Sequence, residues 1–196
     1  PEGDGVMKEI VQMIVVLSVI CTVCGAALSG LRNYTADRIE NQILMNVQGP
    51  KVNRVLEGSN NDLIADRKTI TVDGRDLLLF VGKKGGKDWA IAYETEGGGF
   101  AGPIKVMAGY NLEDNNLTGI QIVSHKETPG VGSRVEEDQF TKGFKGLHAD
   151  LQLAPGTCPE EIDAISGATY SSKGVCEAIQ KSLALYPEVL KQVEEK

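Results

Sequence analysis

The sequence predicts an α+β fold: an N-terminal single transmembrane helix followed by an antiparallel-sheet domain with flanking helices. Three observations carry this. An uncharged apolar run lies near the N-terminus, five runs rich in β-branched, aliphatic and aromatic residues follow between turn signals, and helical spacing returns near the C-terminus. With 196 residues, 41% of them hydrophobic, the chain can bury one core. The formal net charge of −7, with no basic cluster interleaved with aromatics, excludes a nucleic-acid surface. One Trp and two His leave little material for a histidine-ligated haem or a zinc site.

Residues 1–9 read as a short tail. From Ile10 to Leu31 only Gln12, Ser18, Thr22 and Ser29 interrupt an apolar run. As a helix it is roughly 33 Å long, enough to cross a hydrocarbon core of about 30 Å. Small residues at Ala26-Ala27-Leu28-Ser29-Gly30 also suit a cleaved signal peptide, but the run exceeds a usual signal core and reads as a retained anchor. Cys21 and Cys24 lie inside it and read as small membrane residues. Gly25, Ala26, Ala27, Ser29 and Gly30 suit packing on partner helices. Lys8 precedes the span while Arg32 and Arg38 follow it, so the charge pattern does not favour an internal N-terminus.

Residues 32–65 read as a helical stalk and connection. Ile39, Ile43, Leu44 and Val47 keep a helical rhythm to about Gln48, Gly49-Pro50 is expected to break it, and a short helix is expected around Val52 to Leu56. The remaining domain, 66–196, opens with strands at Thr69–Val72, Leu77–Val81 and Trp89–Thr95. Turns are expected at Asp73-Gly74 and Lys84-Gly85-Gly86. Ile104–Leu112 and Leu117–Ser124 form a further pair across Glu113-Asp114-Asn115-Asn116. Helical patterns follow over Val135–Phe144, with Phe140 and Phe144 on one face, and from Tyr170 onward, where Val175, Ala178, Ile179, Ser182 and Leu183 recur.

Three stretches carry candidate chemistry. Ser166-Gly167-Ala168-Thr169-Tyr170-Ser171-Ser172 sits where the last helix begins. Backbone N–H groups there lack internal partners and the helix dipole is positive, so a phosphate is favoured; hydroxyls and a glycine before a helix also serve simply as a cap. Gly97-Gly98-Gly99-Phe100-Ala101-Gly102-Pro103 lacks the spacing of a dinucleotide fingerprint or P-loop. It reads as a tight connection, or as glycines that let amides of Gly98 and Gly99 approach a flat ring, with Phe100 as packing. In His125-Lys126-Glu127-Thr128-Pro129-Gly130-Val131-Gly132, Pro129 fixes one φ and the glycines relieve others, so the loop has a preset shape. His125 either hydrogen-bonds a ligand or anchors that loop, with anchoring the preferred reading, while Glu127 either holds loop amides or faces water.

These stretches together resemble the FMN-binding domain family, found in the G subunit of Rnf complexes and the C subunit of Na⁺-translocating NADH:quinone reductases. Ser166-Gly167-Ala168-Thr169 is similar to its flavinylation motif, Asp163 matches an acidic residue before it, and Glu127-Thr128-Pro129-Gly130 is similar to a second signature. The resemblance spans about Asp66 to Leu185 and is better to the Rnf G subunit. It implies FMN joined by a phosphoester to Thr169, with Ser166, Gly167, Ala168, Tyr170, Ser171, Gly98, Gly99, Phe100, Glu127, Thr128, Pro129 and Gly130 around it. Amides of the two glycine-containing loops are then expected to tune the flavin.

The implied role is a redox subunit without a substrate site of its own, relaying electrons within an ion-translocating ferredoxin:NAD⁺ oxidoreductase complex. Implied partners are the complex's other membrane and redox subunits, a flavin transferase for maturation, and membrane lipid, with the domain on the extracytoplasmic (periplasmic) side of the cytoplasmic membrane. Alternatives are a quinone-reductase C subunit or other extracytoplasmic FMN carrier, and a membrane-anchored binding or assembly domain without a redox group. Cys158 and Cys176 bracket the motif; a disulfide pinning its entry is open to them, and two free thiols are the preferred reading.

Overall fold

The structure, a computed structural model, describes residues 2–72, 74–151, 157–160 and 162–194. The chain forms two units, 1–43 and 44–196. In the first, α1 (Glu2–Ile43) is one continuous helix. Within Met7–Ala36 the most apolar stretch of 18 residues has a mean hydropathy of 2.4, and none of it is buried by protein. Such a helix, apolar and uncovered, is long enough to cross a membrane.

The second unit begins with a wide π-type turn, Leu44–Gln48, and α2 (Gly49–Val55). Gly49-Pro50 therefore opens a helix where a break was expected. Pro50 sits in the first turn of α2, where a missing N–H leaves nothing unbonded, and the strain its ring puts on the preceding turn is relieved by the π geometry. Leu44, Val52, Val55, Leu56 and Leu63 are buried in the core of the sheet domain, so this stretch packs as part of that domain.

The sheet is a meander of five antiparallel strands in chain order: β1 (Lys68–Val72), β2 (Arg75–Lys84), β3 (Lys87–Gly98), β4 (Pro103–Asn111) and β5 (Leu117–Ser124). Lys84 pairs with Lys87 across Gly85-Gly86, whose φ angles of 60° and 83° match a two-residue primed turn. Val72 pairs with Arg75 around the expected Asp73-Gly74 turn, of which Asp73 lies outside the described residues.

Alternation along each strand gives the sheet two buried faces. Phe80, Ala90, Ala92 and Met107 meet α2, whereas Leu79, Ile91, Tyr93, Val106 and Tyr110 meet the long C-terminal helix α4 (Thr169–Glu194). Between β5 and α4, the helix expected over Val135–Phe144 is instead three short pieces. These are a 3₁₀ turn (Gly132–Glu136), α3 (Asp138–Thr141) and a second 3₁₀ turn (Lys142–Phe144). Extended backbone at Glu137 interrupts the pattern, yet Phe140 and Phe144 still meet edge to face at 5.4 Å.

Buried hydroxyls on the sheet find partners on α4. Tyr93 Oη donates to Ser182 O at 2.8 Å, Thr95 Oγ1 donates to Ala178 O at 2.8 Å, and Tyr110 Oη shares a hydrogen bond with Ser182 Oγ at 2.7 Å. Burial pushes the phenols of Tyr93 and Tyr110 well above the ordinary tyrosine range, which keeps them neutral. Near the start of α4 the contact is closer still. A Cβ on Gly97 would lie 2.0 Å from Gly174 O, and one on Gly174 would lie 2.8 Å from Gly98 O. Strand and helix thus cross backbone against backbone.

The pairing of β2 with β3 ends at Leu79↔Tyr93, which leaves the last turn-ward residues of β3 without a strand on that side. Side chains of α4 stand in for it. Lys181 Nζ donates to Glu96 O at 3.0 Å, Gly98 N donates to Glu177 Oε2 at 3.0 Å, and Lys181 pairs with Glu177 at 2.9 Å. The Lys181 hydrogen bond, and then the Gly98 amide, hold the Glu177 carboxyl below its usual range. A depressed folded pKa stabilises the fold above the unfolded value, near 4.3, and that stabilisation fades as pH falls through the folded value. Because both side chains are about half exposed, Glu177→Gln is expected to lower stability at pH 7 by no more than about 1 kcal/mol. Urea unfolding of both proteins should show a difference at pH 7 that shrinks as pH falls towards 3; an equal difference at both would contradict the assignment.

Candidate functional site

The approach to the site is built along α4. Ser172, Cys176 and Gln180 are spaced by four residues and so share one helix face. The segment before the helix runs back along that face. Gln180 Nε2 donates to Thr157 O at 2.7 Å, Cys176 is joined to Cys158, and Ser172 Oγ accepts from Ile165 N at 3.0 Å. The reading of two free thiols is therefore corrected: the Cys158–Cys176 disulfide forms, with 5.1 Å between the Cα atoms. Its cause is the doubling-back of residues 157–160 and 162–168 onto the helix, which a linear spacing of 18 does not reveal.

These three rungs deliver the attachment motif to the first turn of α4. Gly167 adopts φ +81°, which a side chain would oppose, and Ala168 N donates to Ile165 O at 2.9 Å to close the turn. The first amide of α4 to find a helical acceptor is that of Ser172, bonded to Ala168 O at 3.0 Å. Those of Thr169, Tyr170 and Ser171 donate to no acceptor among the described residues. They are the positive end of a long helix. Of the hydroxyls, Thr169 and Ser166 are exposed, whereas Ser171 and Ser172 are 2% and 0% exposed. Ser172 is held by Ile165 N and Ala168 O, and Ser171 by Glu127.

A cleft of about 210 Å³ lies against this turn. One wall is Gly167 to Ser171, a second is Phe100 at the tip of the β3–β4 hairpin, and the floor is formed by Glu127, Thr128, Val131 and Gly132. Phe100 and Tyr170 are 74% and 70% exposed, and their ring centroids lie 6.3 Å apart. Their planes are tilted by 52°, so the two rings border the cleft side by side rather than form a parallel slot. The cleft is smaller than the roughly 300 Å³ at which pockets begin to engulf a ligand, so a flavin-sized occupant would remain partly outside.

The remaining sequence-derived residues lie elsewhere. Ser166 lines a neighbouring cleft with Arg134 and Asp163. Gly98, Gly99, Pro129 and Gly130 do not line the site cleft. Four amides of the glycine loops are engaged within the protein. Gly98 N donates to Glu177, Gly99 N to Gly102 O at 2.9 Å, Ala101 N to Glu127 Oε1 at 2.9 Å, and Gly130 N to Ser133 Oγ at 2.9 Å. Gly97 and Gly98 answer to the close passage of α4, a demand that leaves the same mark in sequence as a ligand's approach. His125 anchors its loop: Nδ1 accepts from Glu127 N at 3.0 Å, and Nε2 faces Glu136 Oε1 at 3.4 Å. Val131 and Gly132, which follow the second signature in the same loop, also line the cleft.

The FMN-binding domain profile matches residues 99–184. The G subunit of the Na(+)-translocating ferredoxin:NAD(+) oxidoreductase complex of Acetobacterium woodii is 32% identical over 205 residues, covering 94% of this chain and 95% of that protein. The G subunit of the ion-translocating oxidoreductase complex of Methanosarcina acetivorans is 28% identical, covering 90% of this chain and 94% of its own. Among solved structures, the C subunit of the Na(+)-translocating NADH-quinone reductase of Parabacteroides distasonis shares the fold, with a TM-score of 0.57 at 21% identity over 78% of this chain and 94% of that one.

Proposed function

The chain belongs to the G-subunit family of ion-translocating oxidoreductase complexes, and from that membership we infer that it carries FMN on Thr169 and relays electrons within such a complex. The observation that carries the attachment site is the contrast among hydroxyls. Thr169 is exposed beside unpartnered helix amides, while Ser171 and Ser172 are buried and hydrogen-bonded. A phosphoester at Thr169 would place its negative charge against those amides and the helix dipole. Phe100 and Tyr170 would border the ring, and the loop from Glu127 to Gly132 would support it from below.

When bound, FMN supplies redox chemistry that no side chain here offers. The protein's contribution is retention, orientation and electrostatics. A cleft this shallow holds a small ligand weakly by burial alone, so a covalent link suits it, and partial exposure suits a group that must exchange electrons with partner subunits. The chain itself is read as a redox subunit with no substrate site.

Placement follows the same line. Anchoring by α1 in the cytoplasmic membrane accounts for its apolar, uncovered surface. The disulfide supports an extracytoplasmic position for the domain, since such bonds persist in oxidising compartments. There a flavin transferase would meet the exposed Thr169. Near-complete coverage of the G-subunit relatives favours this reading over a quinone-reductase C subunit.

The test is the intact mass of the chain purified from its native membrane, with mapping of the peptide from Gly146 to Lys173. FMN minus one water on Thr169 is the expected result. A native chain without flavin would overturn the electron-carrier reading in favour of a binding or assembly domain.

A further inference from the structure

Glu127 is 5% exposed, yet its carboxylate is in the floor of the cleft. It stands where three segments meet. Oε1 accepts from Ala101 N at 2.9 Å, and Oε2 accepts from Ser171 Oγ. An ionised carboxylate is acceptor-only and here meets a donor at each oxygen. Two glycines make room for it: a Cβ on Gly99 would lie 2.5 Å from Oε1, and one on Gly132 would lie 2.8 Å from Oε2. Its backbone is fixed from the other side by the His125 ring.

The two donors are not arbitrary. Ala101 follows Phe100 and Ser171 follows Tyr170, so a single side chain ties together the residues next to the two exposed aromatic walls. The hairpin tip and the helix start are 70 residues apart in the chain, and among the described residues this carboxylate is their shared polar bond. We propose that Glu127 is the positioning residue of the flavin cleft, setting the separation of Phe100 and Tyr170 and lowering the reduction potential of the flavin held there through its charge. The inference rests on the FMN reading above. The sign of the second part follows from electrostatics: reduction adds negative charge to the ring system, and a nearby carboxylate with little water around it opposes that.

Three variants separate shape from charge. Glu127→Gln keeps the side chain's size and removes its charge, Glu127→Asp keeps the charge on a shorter arm, and Glu127→Ala removes both. Potentials are measured by spectroelectrochemical titration of the flavin-bearing full chain in detergent. Glu127→Gln is expected to favour the reduced form about tenfold, a positive shift of about 30 mV for a two-electron couple. Glu127→Asp should stay at the wild-type potential. An unchanged potential in Glu127→Gln, or the same shift in Glu127→Asp, overturns the electrostatic part.

The positioning part is read without any flavin. In a Thr169→Ala background, Glu127→Ala is expected to speed amide exchange at least tenfold at both Ala101 and Ser172, the hydrogen-bonded amides of the hairpin tip and the helix start. Unchanged exchange at either amide overturns it, whatever the fate of the FMN reading. If the wild-type chain proves to carry no flavin, the electrostatic part falls with that reading, while the exchange result still decides the clamp.

Discussion

Thr169→Ala is expected to abolish covalent flavin completely while leaving the fold intact. The hydroxyl is exposed at the first position of α4 and takes no part in the core, so its removal should change stability by no more than about 0.5 kcal/mol. Thr169→Ser should retain the group. The measurement is flavin fluorescence of the denatured chain together with intact mass. Ser171 and Ser172 cannot readily substitute, because Ser171 is engaged with Glu127 and Ser172 bridges Ile165 and Ala168 within the core. Flavin found on either serine in the variant would show that this turn opens far more than its hydrogen bonds suggest, and the site assignment would fail.

The second large effect is expected at the disulfide. The Cys158–Cys176 bond closes a loop of 18 residues, for which chain entropy predicts about 3 kcal/mol of stabilisation. Cys158→Ser with Cys176→Ser, or reduction of the wild-type chain, should lower the denaturation midpoint accordingly. The same segment would then be held by contacts that include the Gln180–Thr157 and Ile165–Ser172 hydrogen bonds, at about 1 kcal/mol each, and the burial of Ile162 and Ile165. The segment leading into the attachment motif should therefore become protease-sensitive before the sheet unfolds. Equal midpoints and equal nicking with and without the bond would contradict this.

How far the sequence leads is clearest at particular residues. The five strands were legible because their runs of β-branched and aliphatic residues lie between turn residues, and Gly85-Gly86 is a turn signal with one dominant solution. The last helix was legible from Val175, Ala178, Ile179, Ser182 and Leu183, all buried. Thr169 stood out through its motif and lies exposed in the cleft wall. What sequence could not supply were contacts between distant segments. Glu127 and Ser171 are 44 residues apart, and Gly98 and Glu177 are 79 apart. Neither pairing leaves a local pattern. Glycine is ambiguous for the same reason, since the absence of a side chain records that something comes close without recording what. At Gly97 it is a helix; at Gly99 and Gly132 it is a carboxylate.

The unpaired end of β3 has a consequence for how this chain keeps company. A strand edge with free amides and carbonyls is a template on which a second copy, or any stray extended chain, can polymerise. Here Lys181 and Glu177 occupy Glu96 O and Gly98 N with side chains that a newcomer would have to displace, at an edge where their charges resist removal from water. This end of β3 is thereby guarded against the addition of a stray strand.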